Sequence, residues 1–123
     1  MKPLIKEKLI GIMLYAQDLQ RAAYWYCENL GFALADHHFD EFIELALDGQ
    51  YVMHLFKDSD LCPIAKPVFS FDTENIDEAY RLLINKGVEV FPIEIYGDHR
   101  SFKFKDCEGN MLMISKYMTP ITN

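Results

Sequence analysis

Glu44 and His54 are the two residues of this sequence whose types and spacing could support acid–base chemistry. They lie in two largely apolar stretches separated by Asp48-Gly49-Gln50, a sequence typical of a hairpin loop. If these three residues form the loop, with the glycine in the left-handed region, Glu44 and His54 are cross-strand neighbours. A carboxylate beside an imidazole can tune the imidazole towards neutral pH. The pair is therefore a candidate for ligand contact and a weaker candidate for catalysis.

The same register gives the hairpin one wholly apolar face and one mixed face. A two-residue loop would instead bury Glu44 among apolar side chains, at a cost of several kcal/mol, so we expect the three-residue loop. The apolar face, which should pack under a helix, pairs Leu47 with Tyr51, Leu45 with Met53, and Ile43 with Leu55. The mixed face carries Phe42, Glu44, Ala46, Val52, His54 and Phe56.

The elements that must position this hairpin occur twice along the chain. The first copy reads as a strand at 8–16, central because it is apolar on both faces, a helix from Asp18 to about Leu30, a strand at 32–36, and a hairpin of 41–47 with 51–57. The second reads as a strand at 67–72, a helix at 76–86, a strand at 88–93, a loop around Gly97, a closing hairpin within 101–117 and a short tail at 118–123. We predict an α+β fold of two tandem βαβββ modules.

Size and composition limit the possible functions. A chain of 123 residues is long enough for a single domain, here 1–123, with module one at about 8–57, a linker at about 58–66 and module two at about 67–117. The formal charge of −7 argues against nucleic acid or an anionic membrane as the main partner. No run of eighteen apolar residues and no secretion signal occur, which predicts a cytoplasmic protein. The three widely spaced cysteines, Cys27, Cys62 and Cys107, do not suggest a disulfide framework.

Three segments of the chain carry motifs in a characteristic order: 11–19, which joins strand to helix, Leu30-Gly31-Phe32 at the helix end, and 101–110 around the closing turn. Together they resemble the vicinal-oxygen-chelate superfamily, which includes glyoxalases, extradiol dioxygenases, fosfomycin-resistance thiol transferases and bleomycin-resistance proteins. Cys107 replaces the proline that is usual in that turn. The resemblance implies a curved, mostly antiparallel eight-stranded sheet with helices on its outer face.

The resemblance also implies where a metal would be held in the enzymes of the superfamily. Their first three ligand positions fall here on Gly11, on Lys66 or its neighbour Pro67, and on Met113. None of these is a usual ligand, and the fourth position, His54, cannot hold a catalytic ion alone. His37, His38 and His99 do not fall on ligand positions. We therefore expect no metal and no cofactor.

The metal-free members that the chain resembles are bleomycin-resistance proteins, acidic homodimers that bind a drug and catalyse nothing. A homodimer is therefore implied, with Tyr24 or Trp25 as a subunit contact. The acidic balance fits a cationic ligand, whereas Lys66 could hold an anionic or enolate-like oxygen, so the charge of the ligand is open. The predicted ligand-binding residues are Met13, Tyr15, Phe42, Glu44, His54, Phe56, Lys66, Ser101, Lys103 and Met113.

Three functions are open at this point. The leading one is a small-molecule-binding protein of the glyoxalase/bleomycin-resistance type that sequesters an antibiotic or metabolite and is not an enzyme. The second is a metal-dependent glyoxalase, dioxygenase or thiol transferase. The third is a metal-free enzyme that uses Glu44 and His54 as catalytic residues. The sequence names no substrate.

Overall fold

The structure, a computed structural model, describes residues 1–60 and 62–118 and has the predicted α+β architecture of two βαβββ modules. The eight strands form two hydrogen-bonded sheets of four, each with one parallel and two antiparallel pairings. The chain divides into two compact units, Met1–Leu61 and Cys62–Asn123, at a boundary inside the predicted linker. The first unit contains β1 Ile12–Ala16, α1 Leu19–Leu30, β2 Ala33–His38, β3 Phe42–Leu47 and β4 Gln50–Lys57. The second contains β5 Phe71–Asp72, α2 Ile76–Asn85, β6 Glu94–Tyr96, β7 His99–Lys105 and β8 Met111–Tyr117.

In the first unit, α1 packs on one face of a sheet ordered β1-β4-β3-β2. The helix begins where Asp18 Oδ1 accepts a hydrogen bond from the Arg21 backbone N–H at 3.0 Å, and it ends at Gly31 with φ at +82°. Its apolar stripe meets alternate residues of the hairpin, as predicted. The fully buried side chains here include Leu14, Leu19, Tyr26, Ile43, Leu45, Met53 and Leu55.

The first strand differs from the prediction in length and position. It begins at Ile12 rather than residue 8, and Leu9 and Ile10 are 82% and 86% exposed. Within its sheet β1 is an edge strand, parallel to β4, and not the central strand that its apolar composition predicted. An apolar run on both faces does not distinguish a central strand from an edge strand that carries exposed apolar side chains.

The loop of the first hairpin was also predicted wrongly, although the cross-strand pairing of Glu44 with His54 was predicted correctly. Asp48 and Gly49 form a two-residue turn with φ of +51° and +74°, and Leu47 pairs with Gln50. This is the backbone that matches the twist of a hairpin. A register shift between residues 45 and 46 then gives the predicted pairs from Leu45 to Ile43, including Glu44 with His54. The predicted pair of Leu47 with Tyr51 was wrong, since Tyr51 pairs with Ala46. The irregularity prevents the burial of Glu44 that a regular two-residue hairpin would cause.

In the second unit, α2 packs on β7 and β8 of a sheet ordered β5-β8-β7-β6. Asn75 caps this helix, since its Oδ1 accepts from the Glu78 backbone N–H at 3.0 Å. The four apolar residues that this hairpin turns towards the helix are all buried. They are Phe102, Phe104, Leu112 and Ile114.

Two strand predictions in the second unit were wrong in extent. The predicted strand 67–72 is reduced to Phe71–Asp72, and Val68 is 72% exposed. The segment 88–93 is not a strand but makes a single bridge, from Val90 to Phe104, and the strand follows it at β6. Pro92 has no N–H to donate to a sheet, which limits regular pairing in this segment. Of the predicted tail, only Met118 lies within the described residues.

Neither helix within the described ranges 1–60 and 62–118 has the length and apolar character needed to cross a bilayer.

Candidate functional site

The face of the first sheet opposite α1 brings Glu44 and His54 together. They are paired across β3 and β4, and His54 Nε2 lies 3.1 Å from Glu44 Oε2. Their side chains are 20% exposed for His54 and 30% for Glu44, so the pair is partly desolvated but accessible. The cross-strand contact is the one that the hairpin sequence predicted.

Tyr51 extends this pair and was not predicted to belong to it. Its hydroxyl oxygen lies 2.6 Å from His54 Nδ1, so the phenol shares the face of His54. The sequence placed Tyr51 on the opposite, apolar face because it assumed a three-residue loop. The Asp48-Gly49 pair is the sequence signal for the two-residue turn that changes the position of Tyr51.

The three polar side chains form a hydrogen-bonded chain with a definite direction when the imidazole is neutral. A neutral imidazole has one N–H and one acceptor nitrogen. With the proton on Nε2, His54 donates to Glu44, and its Nδ1 accepts from the Tyr51 hydroxyl. Burial, and secondly the negative charge of Glu44, raise the pKa of Tyr51, which keeps the phenol protonated and able to donate.

Aromatic rings surround the imidazole. Phe56 stacks on His54 with ring centres 5.2 Å apart and planes 4° from parallel, and Phe42 lies 5.8 Å away. Tyr15 of β1 packs beside Phe56 at 6.1 Å, and Met13 on the same strand is 53% exposed. The six predicted ligand residues of the first unit therefore share one sheet surface. We call this surface, together with Tyr51, the aromatic face; its residues are Met13, Tyr15, Phe42, Glu44, Tyr51, His54 and Phe56.

The other predicted ligand residues lie in the second unit and have a different character. Lys103 pairs with Met113 across β7 and β8, is half-buried, and makes no ion pair with any residue that the structure describes. Ser101 is only 1% exposed, and its hydroxyl lies 2.7 Å from that of Ser115. Lys66 is exposed in a bend before β5.

The side chains at the implied metal positions do not fit a metal ion. Both ring nitrogens of His54 are already engaged, by Tyr51 and by Glu44. A Cβ atom on Gly11 would lie 2.5 Å from the Tyr51 hydroxyl oxygen, so the phenol fills the space from which a ligand at position 11 would extend. Within residues 1–60 and 62–118, no group of three or more histidine, cysteine, aspartate or glutamate side chains could hold an ion.

The second unit has an open surface pocket that the sequence did not predict. Its volume is about 470 Å³, and Arg100 on its wall is held by both carboxylate oxygens of Asp77, at 3.0 and 3.2 Å. No predicted ligand residue lines it. The lining residues are Glu74, Asn75, Ile76, Arg100, Lys116, Tyr117 and Met118.

The sequence and the fold were each compared with known proteins. The family model described as Glyoxalase/Bleomycin resistance protein/Dioxygenase superfamily matches residues 8–114. No curated protein matches the chain.

Solved structures with the same fold include proteins of different kinds. A putative glyoxalase family protein from Bacillus anthracis has a TM-score of 0.78 at 20% identity, over 95% of this chain and 99% of that one. An antibiotic-binding protein, TnmS3 from Streptomyces sp. CB03234, has a TM-score of 0.76 at 20% identity, over 94% and 99%. A lactoylglutathione lyase from Agrobacterium tumefaciens has a TM-score of 0.76 at 16% identity, over 90% and 94%. At these identities the similarity establishes the fold alone.

Proposed function

The chain belongs to the glyoxalase/bleomycin resistance protein/dioxygenase superfamily, and from that premise we propose that it binds a small molecule on the aromatic face without a resident metal. The observation that carries the proposal is the arrangement around His54. Its two nitrogens are occupied by protein groups, while aromatic rings and a carboxylate remain accessible beside it. Small-molecule sites commonly combine an apolar and aromatic lining with a few fixed polar groups.

The ligand class that we propose is an antibiotic or a metabolite that the protein sequesters. One protein with the same fold, TnmS3, is described as an antibiotic-binding protein, which makes this role compatible with the scaffold. We also propose that the chain acts in the cytoplasm and as a homodimer. Exposed apolar side chains outside the aromatic face support the dimer; they are Leu4, Ile5, Leu9, Ile10 and Tyr24.

A panel of ligands tests the proposed function. Thermal-shift and calorimetric titrations with cationic glycopeptides, fosfomycin-like phosphonates and small keto acids should find a ligand whose binding is unaffected by a chelator. The variant His54→Ala should weaken binding at least tenfold, because it removes the group that joins Tyr51 to Glu44. His99→Ala is the matched control, since this histidine has a side chain 29% exposed in the second unit and should bind as the wild type does.

Two results would contradict the proposal. One is stoichiometric divalent metal in the purified protein, with binding lost to a chelator, which would favour the metal-dependent enzymes of the superfamily. The other is ligand binding that His54→Ala leaves unchanged.

The hydrogen-bonded chain also favours a second candidate, a metal-free enzyme. Tyr51, His54 and Glu44 form the continuous path that general acid–base catalysis needs, with an accessible phenol at one end. Turnover that a chelator does not affect, and that His54→Ala abolishes without lowering the free energy of unfolding by more than about 1 kcal/mol, would establish this function.

A further inference from the structure

The hydrogen bonds within the aromatic face engage its N–H and O–H donors and leave acceptor oxygens available to a ligand. With a neutral imidazole that carries its proton on Nε2, the Tyr51 O–H is directed to His54 Nδ1, and the single N–H of the imidazole is directed to Glu44 Oε2. Among residues 1–60, no other donor reaches the Tyr51 oxygen or the second carboxylate oxygen of Glu44. A ligand approaching this cluster of three side chains therefore meets lone pairs and no free polar hydrogen.

The cluster contains one carboxylate, that of Glu44. Within the described ranges, its only ion-pair partner is His54. Lys57, at the end of β4, donates instead to the backbone oxygen of Gln17 at 2.8 Å. Among the described residues the carboxylate therefore has no lysine or arginine partner, and the rings of Phe42 and Phe56, whose π faces attract cations, lie against its partner His54.

Resting on the proposed function, we infer that Tyr51 determines the specificity of this site and that its ligand presents a cationic donor, a protonated amine or a guanidinium, to Glu44 and the Tyr51 oxygen. Tyr51 acts partly through His54: the Glu44 carboxylate, which can only accept, holds the imidazole in the Nε2–H form, and the Tyr51 hydroxyl then donates to Nδ1. The apolar body of the ligand packs on the rings of Tyr15, Phe42 and Phe56.

Gly11 makes this arrangement possible. The Tyr51 ring lies where any larger side chain at position 11 would begin, with ring atoms 2.7 and 2.9 Å from the point that a Cβ atom would occupy. The glycine at this implied ligand position therefore leaves the space that the Tyr51 ring occupies.

A protonated His54 would give the site the opposite charge preference. If His54 were an imidazolium, both ring nitrogens would donate, Nδ1–H would bond to the Tyr51 oxygen, and the phenol O–H would be free for an anion. The tautomer of His54 and the charge preference of the site are therefore linked, and both can be measured.

The test uses the full chain and two probes of similar size and opposite charge, benzylammonium and benzoate. Nitrogen-15 spectra at neutral pH should show a protonated Nε2 and an unprotonated Nδ1 for His54. Titrations followed at the methyl groups of Met13 and Ala46 should give benzylammonium a dissociation constant at least tenfold below that of benzoate. Tyr51→Phe should reduce this preference about tenfold while His54 keeps its Nε2–H tautomer, because Glu44 still accepts from Nε2. The matched control, Tyr24→Phe, removes a hydroxyl from a residue that is 70% exposed on α1 and should change neither.

The outcomes separate the inference from the proposed function. Preference for benzoate, a protonated Nδ1 in the wild type, or a preference that Tyr51→Phe leaves unchanged would overturn the inference and leave a small-molecule site in place. Binding of neither probe at Met13 or Ala46 would overturn the proposed site itself. A Glu44→Gln variant that loses the charge preference while keeping the thermal stability of the wild type would support the inference.

Discussion

The two sheets share a strand order and a buried helix side, but their opposite faces differ in chemistry. On the helix side, both hairpins present four apolar residues that are at most 7% exposed. On the other side, the first hairpin carries the closed chain of Tyr51, His54 and Glu44. The second carries linked serine hydroxyls and a lysine, Lys103, without an ion-pair partner among the described residues. The buried helix side therefore stabilises the fold in the same way in both units, whereas the opposite face carries different polar groups in each.

The largest effect that we predict concerns the linked serine hydroxyls on the face of the second sheet opposite α2, which we call the second face. The Ser115 hydroxyl lies 2.5 Å from that of Ser70 and 2.7 Å from that of Ser101, and Ser101 is 1% exposed. Ser115→Ala should lower the free energy of unfolding by about 1–3 kcal/mol, because it leaves a buried hydroxyl without its partner. Urea denaturation measures the change.

Ser101→Ala is the control for that prediction. It removes the buried hydroxyl itself, so no unsatisfied group remains, and it should cost less than Ser115→Ala. A cost equal to or above that of Ser115→Ala would show that the second face is not held by this hydroxyl chain.

The next effect concerns the packing of Tyr51 on Gly11 at the aromatic face. Gly11→Ala should lower the free energy of unfolding by about 1 kcal/mol, because the new methyl group displaces the phenol and breaks its hydrogen bond to His54. The cost is moderate because Tyr51 is 40% exposed and its ring can move outwards.

The sign of this effect should reverse once the phenol is removed. In a Tyr51→Ala background, Gly11→Ala should stabilise the protein by about 0.5 kcal/mol through the loss of chain entropy in the unfolded state. The coupling free energy from the four proteins of this double-mutant cycle is the measurement. Additive effects would mean that the two residues do not depend on each other.

Much of the fold could be predicted from the sequence because it depends on periodicity. The start of the first helix at Asp18 and its end at about Leu30 are set by local signals, and both were confirmed. The strand predicted at 88–93 was wrong because its apolar composition outweighed Pro92 in the prediction. The edge position of β1 could not be read from its composition.

The site was predictable only as far as its cross-strand pairing. Glu44 and His54 were expected to meet, and they do. Tyr51 was missed because its face depends on a two-residue turn and a compensating register shift, two irregularities that cancel in the pairing of Glu44 with His54 but not in the position of Tyr51. A position next to a bulge has no fixed period, so alternation cannot assign its face.

The smallest effect compares one tyrosine in each unit. The pKa values of Tyr51 and Tyr96 are both raised above the ordinary tyrosine value of about 10. For Tyr51 the largest cause is burial and the second is the charge of Glu44, whereas for Tyr96 it is the hydrogen bond that its hydroxyl donates to Glu94 at 2.6 Å. In a spectrophotometric titration, Tyr51→Phe and Tyr96→Phe should each remove one phenol that ionises late.

The two causes separate when the carboxylates are replaced. Glu94→Ala should remove most of the upward shift in the pKa of Tyr96, because its principal cause is lost, while Glu44→Gln should leave part of the shift in the pKa of Tyr51, because burial remains. Since a raised pKa favours the protonated form in the folded state, the stability that each tyrosine contributes is complete below pH of about 10 and is lost as the pH rises through its folded-state pKa. If Glu44→Gln returned the pKa of Tyr51 fully to its ordinary value, the phenol would not be packed against Gly11 as the structure has it. The charge of Glu44, and not the burial of the phenol, would then account for the raised pKa of Tyr51 on the aromatic face.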